Sequence, residues 1–394
     1  MQTMEDKHYN YAAQFQCIAD RCEDSCCNGW DICVDEATHE KYREHAPKLL
    51  DYVEIKTDGP AMRQVEGTKT CGQLREGLCR IHSDYGESYL PDTCSMYPKR
   101  AVRIGESLLV GATSSCPEIA RLILSVDSPF TLVEKSLLRR PSVIPGWITG
   151  SEMENYAMSI MARFMEETQR SDISAEQALV QVIHVCTMLD REHKDNWAQQ
   201  IGRFFLQAEN IENRRLKSAG NTNKALLPSG QIMQTMYLLG NFKSVRSLQF
   251  LASLQKAFVK DDEREDSPYI LRPGLLEAFD SNIEAQDVID ETLKRYLGAE
   301  IIRRVFPFGN ERGNKKQTVY EKVVPLAVYF CFLKIALLAH IDKEGNPPEL
   351  EKRATILQIL SKALNHLPCD VAGFLKGKGL SDSNLLQVMI YKTA

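Results

Sequence analysis

The stretch Cys22-Glu23-Asp24-Ser25-Cys26-Cys27-Asn28-Gly29-Trp30 puts three thiols within six residues of one another. It sits inside a longer run, Cys17 to Cys116, that holds nine of the twelve cysteines: Cys17, Cys22, Cys26, Cys27, Cys33, Cys71, Cys79, Cys94 and Cys116. Thiols gathered this densely form disulfides, bind zinc or hold an iron–sulfur cluster. The N-terminus, Met1-Gln2-Thr3-Met4-Glu5-Asp6, has no basic region followed by an apolar one, so it does not read as a secretory signal. The expected setting is the cytoplasm, where thiols stay reduced. That demotes disulfides and leaves metal binding as the leading reading.

The spacing does not choose the metal cleanly. Cys22-x3-Cys26 has the form of a zinc knuckle, but Cys71-x7-Cys79 is too wide for a second one. Only His39, His45 and His82 lie nearby, and none repeats a ligand spacing. Irregular all-thiolate spacing suits an iron–sulfur cluster better, with zinc as the alternative. The adjacent pair Cys26-Cys27 is awkward for either, because neighbouring side chains diverge in strand and helix alike.

Outward from this stretch, residues 1–125 are turn-rich and short of long apolar periodicity, with turn signals at Asn28-Gly29, Asp58-Gly59-Pro60, Glu66-Gly67 and Glu76-Gly77. Short helices are expected over Glu36–His45 and Pro117–Leu124. A small loop-rich module of this kind needs a metal to hold it together. Residues 126–150, with Pro129, Pro141, Pro145, Gly146 and Gly150, read as a connector.

From 151 to 394 the pattern is helical. Met153–Glu167 is amphipathic, and Ser174-Ala175-Glu176-Gln177 has the form of a capping box opening a helix to about Leu189. Further helices are expected over Trp197–Ala208, Gln231–Leu239, Ser244–Val259, Ala285–Val305, Val319–His340, Glu349–Leu367 and Ser383–Tyr391. Polar breaks fall at Lys217–Lys224, Asp261–Asp266 and Asn310–Lys316. The apolar run Val323–Ala339 carries Pro325 and Lys334 and reads as a buried helix rather than a membrane span. Cys186, Cys331 and Cys369 read as small core residues. The expected architecture is mainly α: a loop-rich cysteine module (1–125), a connector (126–150) and an all-α helical domain (151–394).

A net charge of −5 over 394 residues argues against a general nucleic-acid binder, and no membrane partner is expected. There is no G-x-G-x-x-G, no G-x-x-x-x-G-K-[ST], no G-x-S-x-G and no H-E-x-x-H.

The residues also carry a family likeness. Cys22 through Ile32 resembles the C-x3-C-C-x-G-W signature of the flagellin lysine N-methylases. Cys71-Gly72-Gln73-Leu74 with Gly77-Leu78-Cys79-Arg80-Ile81-His82 is similar to that family's second cysteine pair. Leu90 through Pro98 and Ser114-Ser115-Cys116-Pro117-Glu118 match its third and fourth blocks, and weaker similarity reaches Phe306-Pro307-Phe308-Gly309 and Leu360–His366. Cys33 is extra to the pattern, and Tyr97-Pro98-Lys99-Arg100 stands where the family usually has Tyr-Pro-Arg.

The resemblance implies an iron–sulfur protein, of the 4Fe–4S type, that methylates lysine ε-amino groups of flagellin with S-adenosylmethionine as donor. Its metal-ligand set would be Cys17, Cys22, Cys26, Cys27, Cys71, Cys79, Cys94 and Cys116. The alternative is a non-catalytic zinc- or iron-binding scaffold. Lysine methylation needs a proton acceptor and aromatic walls to desolvate the amine. Glu118, Asp92, Tyr97 and Trp30 stand within the recognisable blocks as candidates.

Overall fold

The computed structural model describes residues 6–57, 59–105, 107–135, 146–148, 151–218, 229–240, 242–260, 269–309, 317–365, 371–377 and 390. The breaks at 261–266 and 310–316, most of the break at 217–224, Cys369, and all of the helix expected over 383–391 but Ile390 lie outside them. The chain divides into two units, Met1–Leu122 with Val126–Thr149, and Ile123–Ser125 with Gly150–Ala394.

The first unit runs β1 (Asp6–Tyr9), α1 (Asn10–Ala13), α2 (Glu36–His45), β2 (Val53–Lys56), β3 (Gly59–Met62), β4 (Leu74–Arg75), β5 (Leu78–Cys79), α3 (Arg80–Tyr85), α4 (Asp92–Met96), β6 (Lys99–Ile104), β7 (Ser107–Ala112), α5 (Pro117–Ser125), β8 (Leu132–Glu134) and β9 (Gly146–Ile148). Both short helices are where the sequence places them. The expectation of a loop-rich module is corrected by a five-stranded sheet in the order β8-β1-β7-β6-β9. β6 and β7 form an antiparallel hairpin, and β1 adds parallel to β7 with Asp6 opposite Leu108. The sheet escapes a sequence reading because all six residues of β7 are buried, which erases the alternation that marks a half-exposed strand. The region read as a connector supplies both edge strands, β8 and β9. Tyr11 fastens α1 to the sheet: its hydroxyl donates to the Ala112 carbonyl and accepts from the Ala112 amide, both at 3.0 Å.

A separate small core gathers Cys27, Ile32, Val34, Tyr42, Leu49, Met62, Cys71 and Ile81, with Trp30, Cys79 and Cys94 packed against it. Two of the four thiols here are buried and two partly so, which places them at the edge of the apolar cluster.

The second unit runs α6 (Ser151–Thr168), α7 (Ala175–Leu189), α8 (Trp197–Ser218), α9 (Ser229–Leu239), α10 (Val245–Gln255), β10 (Phe258–Lys260), β11 (Tyr269–Leu271), α11 (Pro273–Asp280), α12 (Ile283–Arg304), α13 (Val319–Leu338), α14 (Leu350–Asn365) and α15 (Val371–Gly377). The protein is mainly helical, as expected, but the second unit is not all-α. The helix expected over Ser244–Val259 stops at Gln255, and Phe258–Lys260 pairs with Tyr269–Leu271 as an antiparallel ribbon.

α13 organises this unit. Val323 to Leu338 is buried on every side, as an all-round apolar helix must be in water. Thr318 and Glu321 close a capping box at its start, and the Asp190 carboxylate at the end of α7 accepts from the amides of Val319 and Tyr320 at 2.7 and 2.9 Å. Its buried Lys334 pairs with Glu176 of α7 at 3.0 Å. Cys186 and Cys331 are fully buried core residues, as read from the sequence. Among the described residues no helix is long and apolar enough to cross a membrane.

Candidate functional site

The loop from Cys22 to Trp30 is shaped by its own short polar residues. The Ser25 amide donates to Asp24 Oδ1 at 2.7 Å, the Cys27 amide to Ser25 Oγ at 3.1 Å, and the Trp30 indole to the Cys26 carbonyl at 2.7 Å. Gly29 takes φ +99°, a conformation open to glycine, and its amide donates to the Lys69 carbonyl at 3.0 Å. This brings the chain back so that the Cys71 amide donates to the Cys27 carbonyl at 2.8 Å. The β4–β5 ribbon sets Leu74 opposite Cys79, with the Leu74 amide on the Cys71 carbonyl at 3.1 Å.

Cys94 arrives by a different device. Asp35 caps α2 by accepting from the Thr38 amide and hydroxyl at 2.9 Å each, and its Oδ2 also accepts from the Asp92 amide at 2.8 Å. One carboxylate thereby fixes the start of α4, which carries Cys94. Burial opposes ionisation of Asp35, but these three hydrogen bonds outweigh it and hold the carboxyl below its usual range. The helix over Glu36–His45 was expected from the sequence; the reach of its Asp35 cap to a residue 57 positions on was not.

Four of these thiols lie within electrostatic reach of one another. Burial first, then Cys79, Cys26 and Cys71, pushes the Cys94 thiol well above its ordinary value. Burial likewise raises Cys71, with Cys79 and Cys26 adding to it. Hydrogen bonding with Cys26 and with Cys79, and then burial, raises the Cys27 thiol far above its ordinary range. The bond with Cys27, aided by the His82 and Ile81 amides, outweighs burial and brings Cys79 down to about 6.

Cys17, Cys22 and Cys116 make a second group. Cys22 follows a turn of 3-10 helix at Ala19–Arg21, and Cys116 is the N-cap residue of α5, with Pro117 as its first helical residue. Arg121 of α5 bridges Glu118 at 3.4 Å and Glu23 beside Cys22, clipping the loop to the helix. Burial pushes Cys116 up to about 12, with the Ile119 and Glu118 amides opposing it and the charges of Cys22 and Cys17 adding to it. Burial also raises Cys22, with Glu23, Asp24 and Cys17 contributing.

Tyr97 stands between the groups. Its ring meets Trp30 edge-on at 5.4 Å, and its hydroxyl shares a hydrogen bond with Ser115 Oγ at 3.2 Å. Burial, then Cys116 and more weakly Cys26, pushes its phenol well above the usual range, which opposes a tyrosinate role. Of the other candidates, Glu118 is paired with Arg121, and Asp92 opens α4 with its amide on Asp35. The eight matched thiols range from buried Cys27, Cys71 and Cys116 to exposed Cys17 and Cys26. Cys33 stays apart: it is exposed and paired through its backbone with Ala61, while Ile32 and Val34 on either side are buried. Among the described residues, no three histidine, cysteine, aspartate or glutamate side chains close round a point where a single metal ion would sit.

The second unit settles the family. The FliB lysine N-methylase C-terminal domain matches residues 164–386, more than half of the chain. The chain belongs to the FliB lysine N-methylase family through this domain. A flagellar biosynthetic protein FliU from Salmonella muenchen is 24% identical over 144 residues, 34% of this chain and 85% of FliU. Two proteins called lysine-N-methylase, from Salmonella typhimurium strain LT2 and Salmonella choleraesuis strain SC-B67, are 23% and 24% identical over 140 residues, 33% of this chain. The match spans 35% of the length of each of those two. No solved structure matches the chain.

Proposed function

We propose that this protein is an S-adenosylmethionine-dependent protein-lysine N-methyltransferase acting on flagellin in the cytoplasm, with an iron–sulfur centre in its N-terminal unit. Membership of the FliB lysine N-methylase family carries the reading, and the flagellar name of the FliU relative supports the substrate. The thiols support the centre. Irregular all-thiolate spacing with few nearby histidines suits a cluster better than a zinc ion. Cys26, Cys71, Cys79 and Cys94 are the thiols that would hold it, with Cys27 as a hydrogen-bonding neighbour. When bound, the cluster supplies a cross-link between loops distant in sequence.

The chain's own residues handle the lysine. Its ammonium, with a free pKa of ~10.4, must lose a proton before the nitrogen is nucleophilic. Glu118, which pairs with Arg121, and Asp92 are the candidate carboxylates to accept it; Tyr97 stays protonated and, with Trp30, is the candidate aromatic surface to desolvate the amine. The nitrogen then forms a bond to the donor methyl as the carbon–sulfur bond breaks. S-adenosylhomocysteine leaves, and no radical is required. Incubating anaerobically purified protein with S-adenosylmethionine and native flagellin should raise the flagellin mass in steps of one methyl group.

A scaffold role is the second reading, favoured by the match covering most of a relative whose name states no enzymatic activity. Unchanged flagellin mass with fully metallated protein, together with stable co-purification of flagellin, would select it.

A further inference from the structure

We propose that one face of the five-stranded sheet carries a binding site for a small tetrahedral oxyanion of the phosphate class, made by His8 of β1, Lys99 of β6 and Lys135, which follows β8. The proposed methyl transfer uses none of these residues.

Strand register brings the three together. His8 stands opposite Val110 of β7 on one side and Val133 of β8 on the other, and Val110 stands opposite Ala101 of β6. Residues opposite one another in neighbouring strands share a face, as do residues two apart along a strand. Lys99, two before Ala101, therefore projects from the face that carries His8. So does Lys135, two after Val133, because its amide continues the ladder by donating to the Asp6 carbonyl at 3.3 Å. The Lys135 ammonium reaches the Ala13 carbonyl at the end of α1, which leaves two of its three donors. Lys99 is half-buried and Lys135 exposed, so the site is open on one side.

The fold leaves two of these groups unused. His8 is fully buried, and neither ring nitrogen has a hydrogen-bond partner among the described residues. Among the same residues the Lys99 ammonium makes no hydrogen bond or ion pair. Buried polar groups are as a rule hydrogen-bonded, so a bare imidazole beside a half-buried ammonium points to a missing partner. The surrounding charge says what kind. Burial, then Lys135, pushes the Lys99 ammonium down, with Glu87 opposing. Lys99 and Lys135 both disfavour a charged His8, with Asp6 opposing. Two like charges at one buried ring repel each other, and an anion between them relieves that repulsion, whereas a water molecule does not. The neutral imidazole keeps one N–H to donate, and the two ammonium groups supply the rest. Donors from three separate strands converge from different directions, which suits the spread oxygens of a tetrahedral anion better than the two coplanar oxygens of a carboxylate.

The test uses the full chain in chloride buffer at neutral pH, titrated with inorganic phosphate, with acetate at matched ionic strength as the control. Phosphate should raise the melting temperature saturably, and acetate should not. In histidine-labelled protein, phosphate should also move the ring resonance that is missing from His8→Gln. Lys99→Met removes a half-buried charge without emptying the core and should weaken the phosphate response about tenfold, as loss of one charge-assisted hydrogen bond does. Lys99→Arg should restore most of it. If His8→Gln fails to fold, Lys99→Met and Lys99→Arg carry the test alone. Stabilisation that does not saturate, that acetate matches, or that Lys99→Met leaves unchanged is a general salt effect and overturns the proposal. None of these measurements uses flagellin or S-adenosylmethionine, so the site stands or falls separately from the methyltransferase reading.

Discussion

The two units hold their order by different means. In the helical unit the decisive contacts are apolar and continuous: α13 is buried on every side, and its charged partners, Asp190 and Glu176, are carboxylates on the neighbouring α7. In the thiol-bearing unit the cores are small. Outside its five-stranded sheet, the joints around the thiols include single hydrogen bonds between residues far apart in sequence, such as Cys27 with Cys71 and Asp35 with Asp92. A helical bundle spreads its stability over many contacts, whereas the loops that carry the thiols depend more on each fastening.

The largest expected effect lies in the helical unit, at Glu300. Its buried carboxylate accepts from Arg303 at 2.8 and 2.7 Å and from Arg304 at 2.9 Å. Burial resists its ionisation, but the two guanidinium charges prevail and bring it down to about 2. Glu300→Ala leaves buried cations without their counter-charge and should cost about 3–5 kcal/mol at neutral pH, read by denaturant unfolding. Because the folded value lies below the unfolded one, this stabilisation is present above about pH 4.5 and is lost as pH falls toward about 2.

His8 gives the other unit an earlier acid limit. It lies fully buried in β1, and neither ring nitrogen has a hydrogen-bond partner among the described residues. Burial, then Lys99, brings it down to about 4; Lys135 acts the same way and Asp6 opposes. The neutral ring is favoured in the fold, so stability falls from about pH 6.5 to about 4, by about 3 kcal/mol in total. His8→Leu should remove that slope. Hydrogen exchange followed peptide by peptide should show the thiol-bearing unit loosening at a higher pH than α12 and α13. The reverse order would break the comparison.

Asp35→Ala should cost about 1 kcal/mol as a lost helix cap, with a larger relative loss of bound iron because α4 and Cys94 are released. Asp35→Asn, which keeps an acceptor oxygen, should recover most of the iron. Cys33→Ala marks the smallest effect: unchanged metal content and melting temperature, since the thiol is exposed and only its backbone is paired. Loss of iron there would show that the ligand set extends beyond the eight matched thiols.

Much of the helical unit was legible along the chain because its rules are local. The Ser174–Gln177 capping box forms both of its hydrogen bonds, α13 begins at Val319, and the apolar run Val323–Ala339 is core. The family likeness was likewise written in contiguous phrases. The thiol-bearing unit was legible as its two short helices and an inventory of cysteines, with Cys33 outside the family pattern. Its sheet pairs Asp6 with Leu108 across 102 positions, and a strand buried on both faces leaves no alternation to read. Which of the eight thiols come near one another depends on where Gly29, Asp35 and Arg121 return the chain. Spacing along a sequence records which thiols are present; which of them come together is decided through space, by contacts whose partners lie tens of residues apart.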